Sequence, residues 1–413
     1  MNFFDQLEQT FEEAKHSLSD VKKFYKLYFD SFAAFPGEQK KKAFSYSQQL
    51  SETSTLAKAL HLNSEGWQMT LAADFERAIS QLNEARKIFA DLNEEGGIMA
   101  AEGFIGVCYR SMGQLDKAQK HIQNGLKYSE RVDLNSIYLF SKSVVYYQAA
   151  ELNLEFKNYE TAIKYYNEGL KFTEKDNVLY GRLFNGLGVA YIITGDLEKA
   201  LDNLNRSLEV ISIKPNKLLE SKIYSDIGTY HFKKGEHDLA LENEQKSLKI
   251  RIENKYLNPA TTSHIRLAEI YFAKKDNVNA LLHANKAVEQ AEQMKTLIKL
   301  YEAHEIVSKI HEETGNLEEA YHHYKKFHQF KEEVHNQDVM RKIEQLNSQH
   351  KMDTLEKEQE IFKLMNVELK AAFDEIENKQ KEILDSIHYA KRIQNALITS
   401  EKTIERNLDR LLS

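Results

Sequence analysis

From residue 59 to residue 330, apolar residues recur at intervals of three and four. That spacing marks one face of a helix, and short polar or glycine-containing turns divide the stretch into helical pairs. The clearest pair runs Phe184-Asn185-Gly186-Leu187-Gly188-Val189-Ala190-Tyr191, then Gly195-Asp196, then Ala200, Leu204 and Ser207. Aligning the others on the residue that matches Ala200 gives Ala78, Ala118, Ala162, Ala200, Ala240, Ala280 and Ala320, with steps of 40, 44, 38, 40, 40 and 40 residues. A period this regular predicts a solenoid of seven helical hairpins. In each first helix a small residue follows an apolar one (Gly106, Gly188, Gly228, Ala268), and a ring follows three residues later (Tyr109, Tyr191, His231, Tyr271). The small residue lets the partner helix approach, and the ring fills the space between hairpins. Gly113, Gly195, Gly235 and Gly315 sit in the turns, where a positive φ is needed. The second helices carry buried stripes such as Ala200, Leu204, Ser207 and Ala320, Tyr324, Phe327.

This pattern resembles the tetratricopeptide repeat, W-x2-L-G-x2-Y…A-x3-F…A, over about two thirds of the chain. Two departures stand out. The period is about 40 rather than the usual 34 or so, which predicts longer helices. The third copy is the poorest, with Ala149-Ala150 in place of Leu-Gly, Asn153 at the ring position, and a longer loop expected near Glu130–Asn135. The resemblance implies an all-α, superhelical solenoid whose first helices line a concave groove. It places Asn63, Trp67, Arg110, Tyr147, Glu151, Arg182, Asn185, Lys222, Ser225, Thr229, Phe232, Glu269 and Phe272 near that groove. Such a mixture of rings, amides and charges suits a protein or peptide ligand; the alternative is a scaffold with solvated polar positions. The carboxylate clamp of chaperone-binding relatives needs Lys and Asn at two fixed positions. The pairs found there, such as Asn63/Trp67, Asn185/Val189 and Ser225/Thr229, do not supply it.

Residues 1–58 read as an N-terminal helical cap or degenerate repeat. Helices are expected over Asp5–Leu18 and over Val21–Phe35 until Pro36-Gly37, and Gln39–Leu60 supplies further helix that runs into the first recognisable unit. Residues 331–413 have no Gly or Pro, and Leu355, Phe362, Leu369, Ile376, Ile383, Ala390 and Leu397 fall seven apart. With Ile387 on the companion seam, this predicts a long coiled-coil helix that makes the chain a homodimer. The alternative is one long helix folded back on the solenoid.

Ile383–Leu397 reads Ile-Leu-Asp-Ser-Ile-His-Tyr-Ala-Lys-Arg-Ile-Gln-Asn-Ala-Leu. It resembles the linker helix that precedes the catalytic domain of bacterial SpoIIE-type, PP2C-like serine/threonine phosphatases. That resemblance implies a regulatory input module for such an output domain. The family's usual Leu-Pro is replaced by Ile398-Thr399, and the acidic metal ligands lie further downstream in relatives, so the chain as given is expected not to hydrolyse phosphoesters.

Composition narrows the remaining options. Among 413 residues there are 16 Gly, 3 Pro and 1 Cys, which favours helix and excludes a disulfide framework. The net charge of −7 is of mixed sign along the chain, giving no polybasic patch for nucleic acid or anionic membrane. No apolar run is long enough to span a bilayer and the N-terminus is not a signal peptide, so a cytoplasmic protein is expected. Cys108 reads as a buried structural thiol. His388 lacks the acidic neighbour and following Pro of a phospho-accepting histidine, and His322, His323 and His328 lack the spacing of a helical zinc site. No phosphate loop or nucleophile motif is present, so neither an enzyme, a cofactor nor a metal is expected. The expected function is protein- or peptide-binding regulation of an output domain. A stand-alone adaptor and a peptide-pheromone sensor are the alternatives.

Overall fold

The computed structural model describes residues 3–31, 37–133, 136–175 and 177–413, leaving out the side chains of 3, 18, 29–31, 337–360, 362–364, 367 and 398–400. It divides into two compact units, Met1–Val334 and His335–Ser413. The described elements are all helical. α1 (Phe3–Ala14), α2 (Leu18–Ser31) and α3 (Gly37–Leu50) precede α4 (Thr55–Leu71) and α5 (Phe75–Asp91). There follow α6 (Glu95–Ser111), α7 (Leu115–Ser129), α8 (Leu139–Glu155), α9 (Tyr159–Lys171), α10 (Val178–Thr194) and α11 (Leu197–Ile213). The series ends with α12 (Lys217–Lys233), α13 (His237–Glu253), α14 (Leu257–Ala273), α15 (Asn277–Gln293), α16 (Leu297–Glu313) and α17 (Leu317–Leu412).

In the first unit α4/α5, α6/α7, α8/α9, α10/α11, α12/α13 and α14/α15 pack as hairpins. The start of α17 closes on α16, where the Ser308 hydroxyl donates to the Ala320 carbonyl at 2.8 Å. First helices also meet each other, α4 with α6, α6 with α8, α8 with α10, α10 with α12 and α14 with α16. The fold is therefore an all-helical solenoid. The alanines that share one register, from Ala78 to Ala320, are all buried. Close approach depends on the missing side chain opposite them: a Cβ at Gly188 would stand 2.6 Å from Leu204 Cγ. The turn inside each hairpin holds one residue with positive φ, and Gly113, Gly195, Gly235 and Gly315 take four of these positions.

The helical stretch expected over Gln39–Leu60 holds a break. α3 stops at Leu50 and α4 restarts at Thr55, because the Ser54 side chain accepts from Ala57 N and caps the new helix. The connection before the third hairpin runs from Ser129 to Leu139, where the wider step in the period falls. Ahead of the hairpins, Tyr25 and Tyr28 are buried, and the Tyr25 hydroxyl lies 2.8 Å from Ser47 Oγ, which meets His61 Nδ1 at 2.9 Å.

The second unit consists of the rest of α17. Leu369, Ile376, Ile383, Ile387 and Leu397 are each more than half exposed, and Ala390 is exposed. The Leu355 and Phe362 seam positions lie outside the described side chains.

Candidate functional site

The first helices α10, α12 and α14 carry polar side chains on one shared face, and several of them, Asn185, Ser225 and Asp226, are buried. Between α10, α12 and α14 that face opens into a cavity of about 410 Å³. Tyr147 from α8, Arg182 and Asn185 from α10, and Lys222, Ser225 and Asp226 from α12 line it, with Arg251 from α13 and Arg266 from α14. Leu218, Leu219 and Pro259 add apolar surface.

Asp226 is the hub of the polar lining. Asn185 Nδ2 donates to its Oδ2 at 2.8 Å, Lys222 Nζ lies 3.4 Å from the same oxygen, and Arg266 Nη1 is 3.8 Å from Oδ1. Lys222 also donates to Asn185 Oδ1. Arg266 donates to the Ser225 carbonyl at 2.9 Å and to the Thr229 hydroxyl. Beneath them Ser225 Oγ donates to Glu244 Oε2 at 2.8 Å, and Arg251 Nη1 lies 3.6 Å from Glu244 Oε1. Arg251 also donates to the Pro259 carbonyl and to Ser263 Oγ. Burial lowers the Arg251 pKa, and Glu244 opposes that shift. The concave walls crowd Lys222 while its side chain keeps solvent contact. That crowding disfavours its charge, but Asp226 and Glu151 outweigh it and the pKa is raised. Burial pushes the Tyr147 phenol up, as does Glu151, against Arg182, Lys222 and Arg110.

The sequence-derived groove residues thus separate into groups. Tyr147, Arg182, Asn185, Lys222 and Ser225 come together at the cavity, with Thr229 one contact away. Arg110 is engaged locally by Gln148 at 2.8 Å and Glu155 at 3.0 Å, with Glu151 at 3.8 Å. Glu151 itself accepts from the Tyr166 hydroxyl at 2.6 Å. Trp67 stacks on Phe104 with centroids 4.5 Å apart. Phe232 lies beside His237, and Lys275 stands over the Phe272 ring. Desolvation raises the Glu269 pKa. Asn63 requires a correction: it is wholly buried, with neither amide atom hydrogen-bonded, and offers no surface to a groove ligand.

The sequence reading missed Asp226, Glu244, Arg251 and Arg266. A signal existed. Asp226 and Arg266 are 40 residues apart, one repeat, at a position that is Gly186 in the preceding hairpin. Glu244 stands where the matching stripe has Leu204, and Arg251 stands where it has Ile211. Among the described residues no group of three or more His, Cys, Asp or Glu gathers to hold a metal, and no helix is long and apolar enough to cross a membrane.

Comparison with known proteins agrees with this architecture. Residues 179–253 and 144–176 each match the tetratricopeptide repeat. No curated protein sequence matches the chain. Among solved structures, the apo form of RapI aligns with a TM-score of 0.54 at 15% identity, over 68% of this chain and 99% of that one. A Rap protein complexed with Competence and Sporulation Factor aligns with a TM-score of 0.53 at 12% identity, over 66% of this chain and 76% of that one. A signal-transduction ATPase with a tetratricopeptide repeat sensor, from Pyrococcus horikoshii, gives 0.54 at 15% identity, over 82% of this chain and 53% of that one. At these identities the likeness is one of fold: the chain carries tetratricopeptide repeats in an all-helical solenoid.

Proposed function

We propose that this tetratricopeptide-type solenoid is a cytoplasmic input module that binds a protein or peptide in its concave groove. The observation that carries the reading is the polar cavity on the first helices. It gathers charged and polar side chains from α8, α10, α12, α13 and α14. The exposed apolar row on α17 supports the second part of the proposal, that two chains pair through 331–413. An exposed row of this kind gains roughly 1.5–3 kcal/mol per apolar side chain when a second helix covers it. The resemblance of Ile383–Leu397 to the phosphatase linker supports the third part, that the pairing governs a SpoIIE-type output domain.

Three measurements test the three parts. Selection of a random dodecapeptide display library on the full chain should enrich binders that slow amide exchange in α10 and α12. Absence of any enriched peptide, or protection confined to other helices, rejects the groove. Sedimentation should show a dimer at micromolar concentration that Ile376→Asp with Ile383→Asp converts to a monomer of unchanged solenoid helicity. A wild-type monomer rejects the pairing. A related phosphatase domain fused after Ser413 should change activity when four residues are inserted near Lys379 and recover with seven, since four shift the heptad and seven restore it. Equal activity for insertions of zero, four and seven rejects regulation. A second reading, a stand-alone peptide sensor, draws support from the fold likeness to the Rap protein complexed with Competence and Sporulation Factor. It requires peptide binding without the heptad dependence.

A further inference from the structure

The cavity between α10, α12 and α14 carries enough charge to specify what the groove holds. Its lining presents four cations, Arg182, Lys222, Arg251 and Arg266, against the single carboxylate of Asp226. Glu244, wholly buried beneath, adds one more negative charge. Glu151, which also bears on Lys222 and Tyr147, lies beside Arg110, so the four lining cations still outnumber the carboxylates that face them, in a chain whose net charge is −7.

These cations are unequally satisfied. Lys222 and Arg266 share Asp226, and Arg251 faces Glu244. Arg251 is only 5% exposed, and its Nε has no hydrogen-bond partner. Arg182 makes no hydrogen bond or ion pair among the described residues, although it lines the same cavity. Guanidinium groups crowded by protein and left unpaired are costly, and an incoming anion relieves that cost with charge-assisted hydrogen bonds. The volume exceeds that of a lone carboxylate, and Leu218, Leu219 and Pro259 provide apolar contact for the groups attached to it.

We propose that this cavity seats the side-chain carboxylate of an acidic residue in an extended peptide lying along the groove, with Arg182 as its principal contact. The proposal rests on the peptide-binding reading above. It differs from recognition of a chain end: Lys222 and Asn185, on successive first helices, are already bound to each other and to Asp226, which leaves Arg182 to meet the incoming group.

The test uses the full chain and a random dodecapeptide display library. Wild type should enrich peptides with Asp or Glu at one fixed position. Arg182→Gln, which breaks no hydrogen bond or ion pair within the fold, should still enrich peptides but without that acidic preference. Arg182→Glu should turn the preference to Lys or Arg, an inversion that a merely structural residue would not produce. A synthetic enriched peptide should bind about tenfold more weakly when its acidic residue becomes the amide, and about tenfold more weakly to Arg182→Gln. Amidating its C-terminus should leave affinity unchanged. Circular dichroism on both variants checks that helix content is intact. Enriched peptides without an acidic position, or an acidic preference that survives Arg182→Gln, overturn this proposal and leave the groove standing. Affinity lost on C-terminal amidation rather than on Asp→Asn or Glu→Gln assigns the seat to a chain terminus and overturns the side-chain assignment. Failure to enrich any peptide removes the groove reading and this proposal together.

Discussion

The two halves of the solenoid share one period and fill their cores differently. Four residues after the aligned alanine, the first four hairpins place Leu82, Ile122, Tyr166 and Leu204, all buried. The next two place Glu244 and Ala284, and the last places Tyr324, which is half exposed. Eleven residues after the alanine, Phe89, Ser129, Thr173 and Ile211 are followed by the larger charged Arg251 and then by Ala291. The first helices of the later hairpins also bury imidazoles. His264 Nδ1 meets His283 Nδ1 at 2.9 Å, and one repeat later His304 meets His323 at the same distance. The alanines stay buried throughout. Helix spacing is therefore set by the small residues, and the bulky positions are free to hold either hydrocarbon or paired polar groups. Hydrocarbon gives a stabilisation that barely depends on conditions. A buried ion pair roughly balances its desolvation cost, and a buried imidazole pair depends on pH.

The largest expected effect breaks the comparison at Glu244 and Arg251. Removing one partner leaves a buried charge uncompensated, so Glu244→Ala or Arg251→Ala alone should destabilise α12/α13 by about 3–5 kcal/mol. Glu244→Leu with Arg251→Ile copies Leu204 and Ile211 of the preceding hairpin and should recover most of that loss. Leu204→Ala should cost about 2–5 kcal/mol, with no charged pair to restore it. Denaturant midpoints, with amide exchange to locate the weakened hairpin, measure all four. Single variants within about 1 kcal/mol of wild type would mean that solvent reaches the pair and that the two halves do not differ here.

Acid should separate the halves next. Burial, then the facing imidazole and nearby Lys286, lowers His264 to about 4, and His283 is lowered by burial and Lys286. His304 and His323 are lowered to about 4, first by burial, with Lys326 and His322 close to both. His311 also bears on His323, while Glu319 opposes the shift. Tyr271 stacks on His283 and Phe330 on His304. A depressed folded-state pKa means that the unfolded chain binds more protons between the two values. The stabilisation is whole above about 6.5 and is lost as pH falls towards 4. Each pair should lose roughly 1–2 kcal/mol over that window, discounted for partial exposure. Exchange rates corrected for the intrinsic pH dependence of the amides should rise in α14–α16 from pH 7 to pH 5, while those in α6–α11 hold. The rise should shrink in His264→Phe and in His304→Phe. Uniform acceleration across both halves would sink the assignment to these pairs.

The solenoid was legible because the features that define it are local in sequence. Gly188 and Ala200 announce close approach by their size, and Gly195 announces its turn by its tolerance of positive φ. Five of the cavity residues, Tyr147, Arg182, Asn185, Lys222 and Ser225, were reached through groove positions that the repeat resemblance implied. Asp226 and Arg266 were not, since their partners come from other hairpins about 40 residues away and pairing across that separation leaves no local period. Glu244 went unread, although it breaks the apolar stripe at the position that Leu204 holds one repeat earlier. Asn63 failed in the opposite direction: its amide reads as polar surface, yet packing buries it without partners. For α17 the heptad row of Leu369, Ile376 and Ile383 was plain, but one chain contains nothing that tests what covers it.

The smallest effect sharpens the comparison at the turns. Gly195 in the first half has φ 90°, with nothing within 4 Å of the place a Cβ would take, so Gly195→Ala changes backbone preference alone and should cost about 1 kcal/mol. The corresponding residue two repeats later is Lys275, held at φ 64° with a side chain that disfavours it. Lys275→Gly removes that strain but adds freedom to the unfolded chain, and it gives up an exposed ion pair to Glu313 at 2.6 Å and the contact of the ammonium with the Phe272 ring. The backbone term is the larger, because the ion pair joins side chains that remain largely in solvent. A net gain of about 0.3–1 kcal/mol is expected. The opposite signs of the two substitutions, read as shifts in denaturant midpoint, are the outcome to look for. If Lys275→Gly destabilises, the bridge to Glu313 outweighs the backbone, and the second half depends on polar contacts even at its turns.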